Sequence, residues 1–66
     1  MSIAKVIEVS ASSSKSFEKA VKNGIKSASE SLENVTGAWV ESQKVTVKDG
    51  KINQYRVIMK VSFILK

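Results

Sequence analysis

The sequence has no cysteine and no histidine among its 66 residues. Without these side chains the chain cannot form a disulfide, and it lacks the most common ligands for a structural metal. A domain of this size buries only about 60% of the surface that its unfolded chain exposes. Association with other copies is therefore the expected way to complete the core.

Long apolar runs are also missing. The most apolar region, residues 57–65, is interrupted by Lys60 and Ser62 and is far shorter than the roughly 20 residues that cross a bilayer. Residues 1–5 (MSIAK) lack the apolar stretch and cleavage site of a signal peptide. We expect one domain over residues 1–66, located in the cytoplasm and without a membrane span.

Groups suited to catalysis or metal binding are scarce. The serines crowd one segment and the helix without an evident base, and the six carboxylates are dispersed. Their spacing matches neither a calcium loop nor a zinc site, so only the symmetry of an assembly would gather copies of one acid around an ion. We expect a protein that is not an enzyme.

Residue periodicity predicts the order strand, helix, strand, strand. Residues 3–9 (IAKVIEV) form the first strand, and the serine-rich residues 10–14 are expected to be a loop. Between residues 15 and 34, apolar residues recur at spacings of three and four, which predicts an amphipathic helix capped by Ser14 or Ser16. The apolar stripe is Phe17, Ala20, Val21, Gly24, Ile25, Ala28 and Leu32.

The two faces of this helix have different expected roles. Gly24 lies on the apolar stripe, which predicts close approach to a sheet or a neighbouring helix. Four lysines form a stripe on the opposite face, and the chain carries a net charge of +5, which favours anionic partners. No aromatic residue or arginine accompanies those lysines, so we interpret the stripe as a solvated face and do not expect nucleic-acid binding. The lysines are Lys15, Lys19, Lys22 and Lys26.

Residues 36–47 and 52–65 are the remaining strands, and Asp49-Gly50 between them predicts a hairpin with a type I′ turn. The fold class is therefore α+β, with a three-stranded antiparallel sheet wrapped around one helix. The turn sets a register in which the expected cross-strand pairs are Val40–Met59, Ala38–Val61, Trp39–Lys60 and Gln43–Arg56.

Element lengths strengthen the expectation of association. A strand of about 14 residues spans roughly 46 Å, whereas a helix of about 20 residues spans roughly 30 Å. One helix cannot cover such a hairpin. The apolar side chains and sheet edges left over would promote aggregation unless other copies occupied them in a closed assembly.

The predicted sheet has one apolar face for the helix and one mixed face. The only tryptophan, Trp39, lies on the mixed face, where it is either an oligomer anchor or a platform for a flat heteroaromatic ligand, and the residues alone favour the anchor. Lys60 beside it is expected to make a cation–π contact. Arg56 either holds a ligand or forms a polar ladder and an ion pair with Glu41. Gln43 and Gln54 complete this polar set.

Several short segments, in their order and spacing, resemble the dodecins, a family of small flavin-binding proteins that form hollow dodecamers. They are KVIE at residues 5–8, SFE at 16–18, NV at 34–35, YRV at 55–57 and KVSF at 60–63. The resemblance covers nearly the whole chain. It implies a homododecamer of β-α-β-β subunits.

The resemblance also implies a ligand site. In the family, flavins stack between tryptophans of the strand after the helix, and a glutamine of the last strand bonds the ring. The tryptophan position falls on Gly37, and Trp39 lies two residues later on the same face. The glutamine position falls on Arg56, with Gln54 facing the same way.

Two functions are consistent with this resemblance. The first is storage of a flavin, whether FMN, riboflavin or FAD. The second is a structural shell, or one that binds another ligand such as coenzyme A or an ion, with Trp39 as a subunit anchor. An arginine at the glutamine position resembles members associated with such other ligands.

Overall fold

The structure, a computed structural model, describes residues 3–65, so Met1, Ser2 and Lys66 of the predicted domain lie outside the described part. The elements are β1 (Ile3–Ser13), α1 (Phe17–Ser31), β2 (Val35–Lys48) and β3 (Lys51–Leu65). β3 is the central strand of an antiparallel sheet in the order β1-β3-β2. The predicted α+β class and element order are confirmed. Within residues 3–65, no helix is long and apolar enough to cross a membrane.

The first strand is longer than predicted. The expectation that residues 10–14 form a loop is wrong, because β1 stays paired with β3 as far as Ser13 opposite Tyr55. Burial increases along this segment, from the exposed Ser10 to the buried Ser13. The Ser13 hydroxyl accepts a hydrogen bond from the Lys15 backbone N–H at 3.0 Å. The serine run is therefore a strand with small side chains that ends in a local turn.

The helix is shorter than predicted, and it begins directly after Ser16, one of the two proposed caps. Ser16 is the N-cap, and its hydroxyl accepts the Lys19 backbone N–H at 3.0 Å. The helix ends at Ser31, three residues before the predicted end, and Asn34 then adopts a left-handed φ of 61°. That conformation turns the chain into β2, where the Ile64 N–H donates to the Asn34 carbonyl oxygen at 3.1 Å.

The core lies between one face of α1 and the sheet. The buried residues of the helix are Ala20, Gly24 and Ala28, and those of β3 are Val57, Met59, Val61 and Phe63. Ile7, Val9 and Ala11 of β1 pack against the same cluster. At one end the rings of Phe17 and Tyr55 meet edge to face, with 5.1 Å between their centroids.

The β2–β3 hairpin contains irregularities that the uniform predicted register did not include. The turn is as predicted, because Asp49 and Gly50 have positive φ angles of 53° and 75° and Lys48 faces Lys51. β3 then has one extra residue beside Thr46, and Glu41 in β2 is a second extra residue. These two bulges compensate, so the predicted register returns at Val40–Met59 and holds until a third shift between Gly37 and Val35.

The positions of these two bulges determine which of the predicted cross-strand pairs are present. Val40–Met59, Trp39–Lys60 and Ala38–Val61 are confirmed because they lie beyond both bulges. The predicted Gln43–Arg56 pair is wrong because it lies between the bulges, where β3 is shifted by one residue. Arg56 there pairs with Lys44, and Gln43 pairs with Val57.

The helix covers only part of the sheet. The 15 residues of α1 span about 22 Å at a rise of about 1.5 Å per residue, whereas the long dimension of the molecule is 52 Å. Apolar side chains remain exposed at the hairpin end and on the side away from the helix. They include Trp39, Val47, Ile52 and Ile58.

Close helix–sheet contact at Gly24 gives a first prediction. A Cβ at residue 24 would lie 2.9 Å from the Met59 sulfur and 3.1 Å from the Ala11 Cβ. We expect Gly24→Val to lower the free energy of unfolding by about 2 kcal/mol through overpacking, measured by denaturant unfolding at a fixed protein concentration. Ser27→Val on the exposed helix surface is the control, and its expected cost is a few tenths of a kcal/mol. Equal costs would contradict close packing at Gly24.

Candidate functional site

The side of the sheet away from the helix, which we call the open face, contains four cross-strand rows of three residues. Each row has one residue from β1, one from β3 and one from β2. In order they are Val6–Ser62–Gly37, Glu8–Lys60–Trp39, Ser10–Ile58–Ser42 and Ser12–Arg56–Lys44. The rows are about 6.6 Å apart because alternate residues of a strand share a face.

Trp39 occupies the second row, with 52% of its surface exposed. Its β3 partner Lys60 is on the same face, as predicted. The predicted ion pair between Arg56 and Glu41 is wrong, because the Lys60 ammonium lies 4.0 Å from a Glu41 carboxylate oxygen. Glu8 is the partner of Lys60 on β1. Lys60, which was expected to sit on the indole, therefore has one carboxylate within ion-pair distance and a second acidic residue as its cross-strand partner.

The first row is packed tightly at Gly37. The Ser62 hydroxyl donates a hydrogen bond to the Gly37 carbonyl oxygen at 3.2 Å. A Cβ at residue 37 would lie 3.2 Å from that hydroxyl oxygen, closer than ordinary van der Waals contact. Any side chain at residue 37 therefore requires Ser62 to move, and the aromatic surface available on β2 of this face is that of Trp39.

The fourth row carries two positive charges. Arg56 is opposite Lys44 on β2 and Ser12 on β1. Its guanidinium donates to the Gln54 side-chain oxygen at 3.5 Å, and the Gln54 backbone N–H donates to the Thr46 hydroxyl at 3.1 Å. Gln54 thus reaches Arg56, as sequence reasoning placed both on one face.

A cleft of about 150 Å³ opens between the third and fourth rows. Its lining is rich in hydroxyl and cationic groups and contains no carboxylate. The lining residues are Ser10, Ser42, Gln43, Lys44, Arg56 and Ile58. Gln43 contributes to the rim, although its register partner Val57 belongs to the helix side.

The structure separates the predicted site residues into two groups. Arg56 and Gln43 line the cleft and Gln54 contacts Arg56, whereas Trp39, Glu41 and Lys60 form a cluster at the second row, with Gly37 in the first row. Sequence reasoning missed Ser10, Ser42 and Lys44. The serines were assigned to a loop or left unassigned, and a uniform register paired Arg56 with Gln43. A bulge leaves little signal in a single sequence.

The distribution of the acidic residues bears on metal binding by a single chain. Across the described residues 3–65, no group of three or more acidic side chains is placed to hold a metal ion. Glu8 and Glu41 flank Lys60 in the second row instead.

Comparison with known proteins gives a consistent answer about the family. The dodecin family profile matches residues 3–66. The chain belongs to the dodecin family. A dodecin from Streptomyces davaonensis is 31% identical, with a TM-score of 0.95 over 98% of this chain and 96% of that one. A comparison with curated proteins found no match.

Other solved structures of the family extend this picture. A dodecin from Streptomyces coelicolor is 26% identical, with a TM-score of 0.95 over 98% of this chain and 93% of that one. A protein described as a calcium dodecin from Mycobacterium tuberculosis, with a novel calcium-binding site, is 32% identical. Its TM-score is 0.84, over 97% of this chain and 91% of that one.

The packing of the first row gives a second prediction, a coupling between Gly37 and Ser62. We expect Gly37→Ala to cost about 1 kcal/mol more in the wild-type background than in a Ser62→Ala background, because removing the hydroxyl makes room for the methyl group. Unfolding free energies of the double-mutant cycle measure this difference. Ser42→Ala, two rows away, is the control background and should be additive. Additivity in both backgrounds would contradict the close contact.

Proposed function

We propose that copies of this chain close into a hollow homo-oligomer that stores a flavin on the open face, with the isoalloxazine ring against Trp39. The observation that carries the proposal is the position of this residue. The only tryptophan of the chain is half exposed on the sheet side that the helix does not cover. Such a residue requires a partner for its apolar surface.

A flavin matches the groups around Trp39. Its ring is flat and apolar over its faces but carries hydrogen-bond donors and acceptors along one edge. The indole supplies a stacking surface. Lys60, Glu41 and Ser62 supply donors and acceptors in the same and the adjacent row. We assign these residues to the proposed site because their donors, acceptors and aromatic surface match those of a flavin.

Assembly completes the proposed site. A single chain offers one aromatic face, whereas a symmetry axis passing near Trp39 would bring a second indole to the other side of the ligand. Dodecins are typically homo-oligomeric, and the exposed apolar side chains at the hairpin end of this chain require burial. We propose twelve copies, as the family resemblance implies.

The proposed role is storage and not turnover. Dodecins are small binding proteins, and the groups on the open face suit stacking and hydrogen bonding. A flavin held between indoles is removed from solution and its excited state is quenched. The cytoplasmic location and the absence of a nucleic-acid partner remain predictions from the sequence.

A second candidate is a shell in which Trp39 is a subunit anchor and the ligand is an ion or another small molecule. Two observations favour it. Trp39 and the partly exposed Ile58 lie in adjacent rows of the open face and so form an apolar surface, and the calcium dodecin of Mycobacterium tuberculosis is 32% identical. Glu8 and Glu41 are the acids that symmetry would have to gather for an ion.

Flavin binding is the subject of a third prediction, which a titration tests. We expect the purified assembly to quench the fluorescence of added riboflavin at micromolar concentrations. Trp39→Ala should weaken this binding at least tenfold, because it removes the indole on which the flavin ring stacks. Tyr55→Phe is the control, since Tyr55 packs on the helix side against Phe17, and it should bind as wild type. Absence of quenching by the wild type would overturn flavin storage.

The size of the assembly is the subject of a fourth prediction, which native mass measurement tests. We expect a species about twelve times the 7.2 kDa mass of one chain, and we expect Trp39→Ala to keep that size. The anchor function predicts the reverse, namely smaller species for Trp39→Ala and no effect of flavin. Val47→Ala removes an exposed apolar side chain from the hairpin end and controls for a general loss of apolar contact.

A further inference from the structure

The surface of the helix that points away from the sheet carries a stripe of lysines. Four lysines, three in α1 and one just before it, are all exposed. The three in the helix occupy an arc of about 60°, at about 100° per residue, and this arc is centred opposite Gly24, which is buried against the sheet. We call the four residues the lysine stripe. They are Lys15, Lys19, Lys22 and Lys26.

The position of these charges along the helix opposes its stability. Cations stabilise the C-terminal end of a helix, where the dipole is negative, and are unfavourable at the N-terminal end. In α1 the lysines begin at the N-terminal end, with Lys19 in the first turn, and the last turn has no basic residue. Lysines three and four residues apart also repel one another. The stability of α1 therefore does not explain the lysine stripe.

Carboxylates neutralise little of this positive charge. Across residues 3–65 the ion pairs are Lys22–Glu18 and Lys60–Glu41, so three of the four lysines of the stripe lack one. The Lys22–Glu18 pair, at 3.3 Å, joins side chains that are 68% and 81% exposed, and such pairs contribute little to stability. The stripe thus keeps an excess of positive charge that an anionic partner would neutralise.

The composition of the stripe favours a diffuse anionic surface over a single defined anion. The stripe has no arginine for bidentate phosphate contacts and no aromatic side chain on which a base could stack. The one aromatic residue of α1, Phe17, packs against Tyr55. Lysine ammonium groups are hydrated point charges on flexible stems, and a negatively charged membrane surface attracts each of them. Lipid headgroups, which move laterally, can gather under such groups without a preformed pocket.

We propose that the lysine stripe binds the anionic headgroups of a lipid surface, so that the assembly associates peripherally with membranes. The exposed residues of α1 are all polar, so this contact is electrostatic and inserts no side chain into the lipid. Copies that close around the open face turn their helices outward and present several stripes to one surface, which strengthens binding. The stripe lies across the sheet from Trp39, so the interaction goes beyond flavin storage and does not depend on it.

Vesicle binding by the whole assembly tests this surface. We expect binding to vesicles of equimolar phosphatidylserine and phosphatidylcholine that weakens as salt is added, and no binding to phosphatidylcholine alone. Lys19→Gln combined with Lys26→Gln should weaken binding at least tenfold, because each lysine near an anionic surface contributes about fivefold in affinity. Lys48→Gln combined with Lys51→Gln makes the same change in net charge at the hairpin turn and should bind as the wild type does.

Two further measurements make the result decisive. Glutamine is a good helix former, so both double variants should keep the far-UV circular dichroism and native mass of the wild type. No binding to phosphatidylserine vesicles, or an equal loss in the two double variants, would overturn the proposal. Tighter binding to duplex DNA than to the vesicles at equal salt, lost in Lys19→Gln with Lys26→Gln, would replace the lipid surface with nucleic acid as the partner.

Discussion

The mismatch between one short helix and a long sheet governs this molecule. The 15 residues of α1 bury the middle of the sheet through Ala20, Gly24 and Ala28, and the hairpin extends well beyond them. Because α1 packs on one side only, the other side of the sheet and the hairpin end stay exposed. The proposed assembly and the proposed ligand site both use the surface that this mismatch leaves uncovered.

Two compensating bulges determine where the charged side chains lie on the open face. The extra residue Glu41 lies beside Lys60, and the shifted segment between the bulges brings Lys44 opposite Arg56. A regular hairpin would have paired Arg56 with Gln43. The same irregularities therefore place a carboxylate near the Lys60 ammonium beside Trp39 and two positive charges two rows away.

Much of the fold followed from local patterns. Residue periodicity predicted the helix and strands, Asp49-Gly50 predicted the turn, and Gly24 predicted close packing, which the contacts with Met59 and Ala11 confirm. The extent of β1 through the serine run did not follow, because its pairing with β3 outweighs the loop preference of serine. The cleft did not follow from local patterns either, because a bulge that the sequence does not reveal brings Lys44 opposite Arg56. Trp39 was placed correctly opposite Lys60, but its proposed role depends on contacts between copies.

A crystal structure of the assembled protein with FMN tests the central claim, that copies of the chain close the open face around a ligand. The account predicts the flavin ring against Trp39, with a second subunit on the far side of the ring. An assembly in which Trp39 is buried wholly in contacts between subunits, with no flavin on the open face, would contradict it.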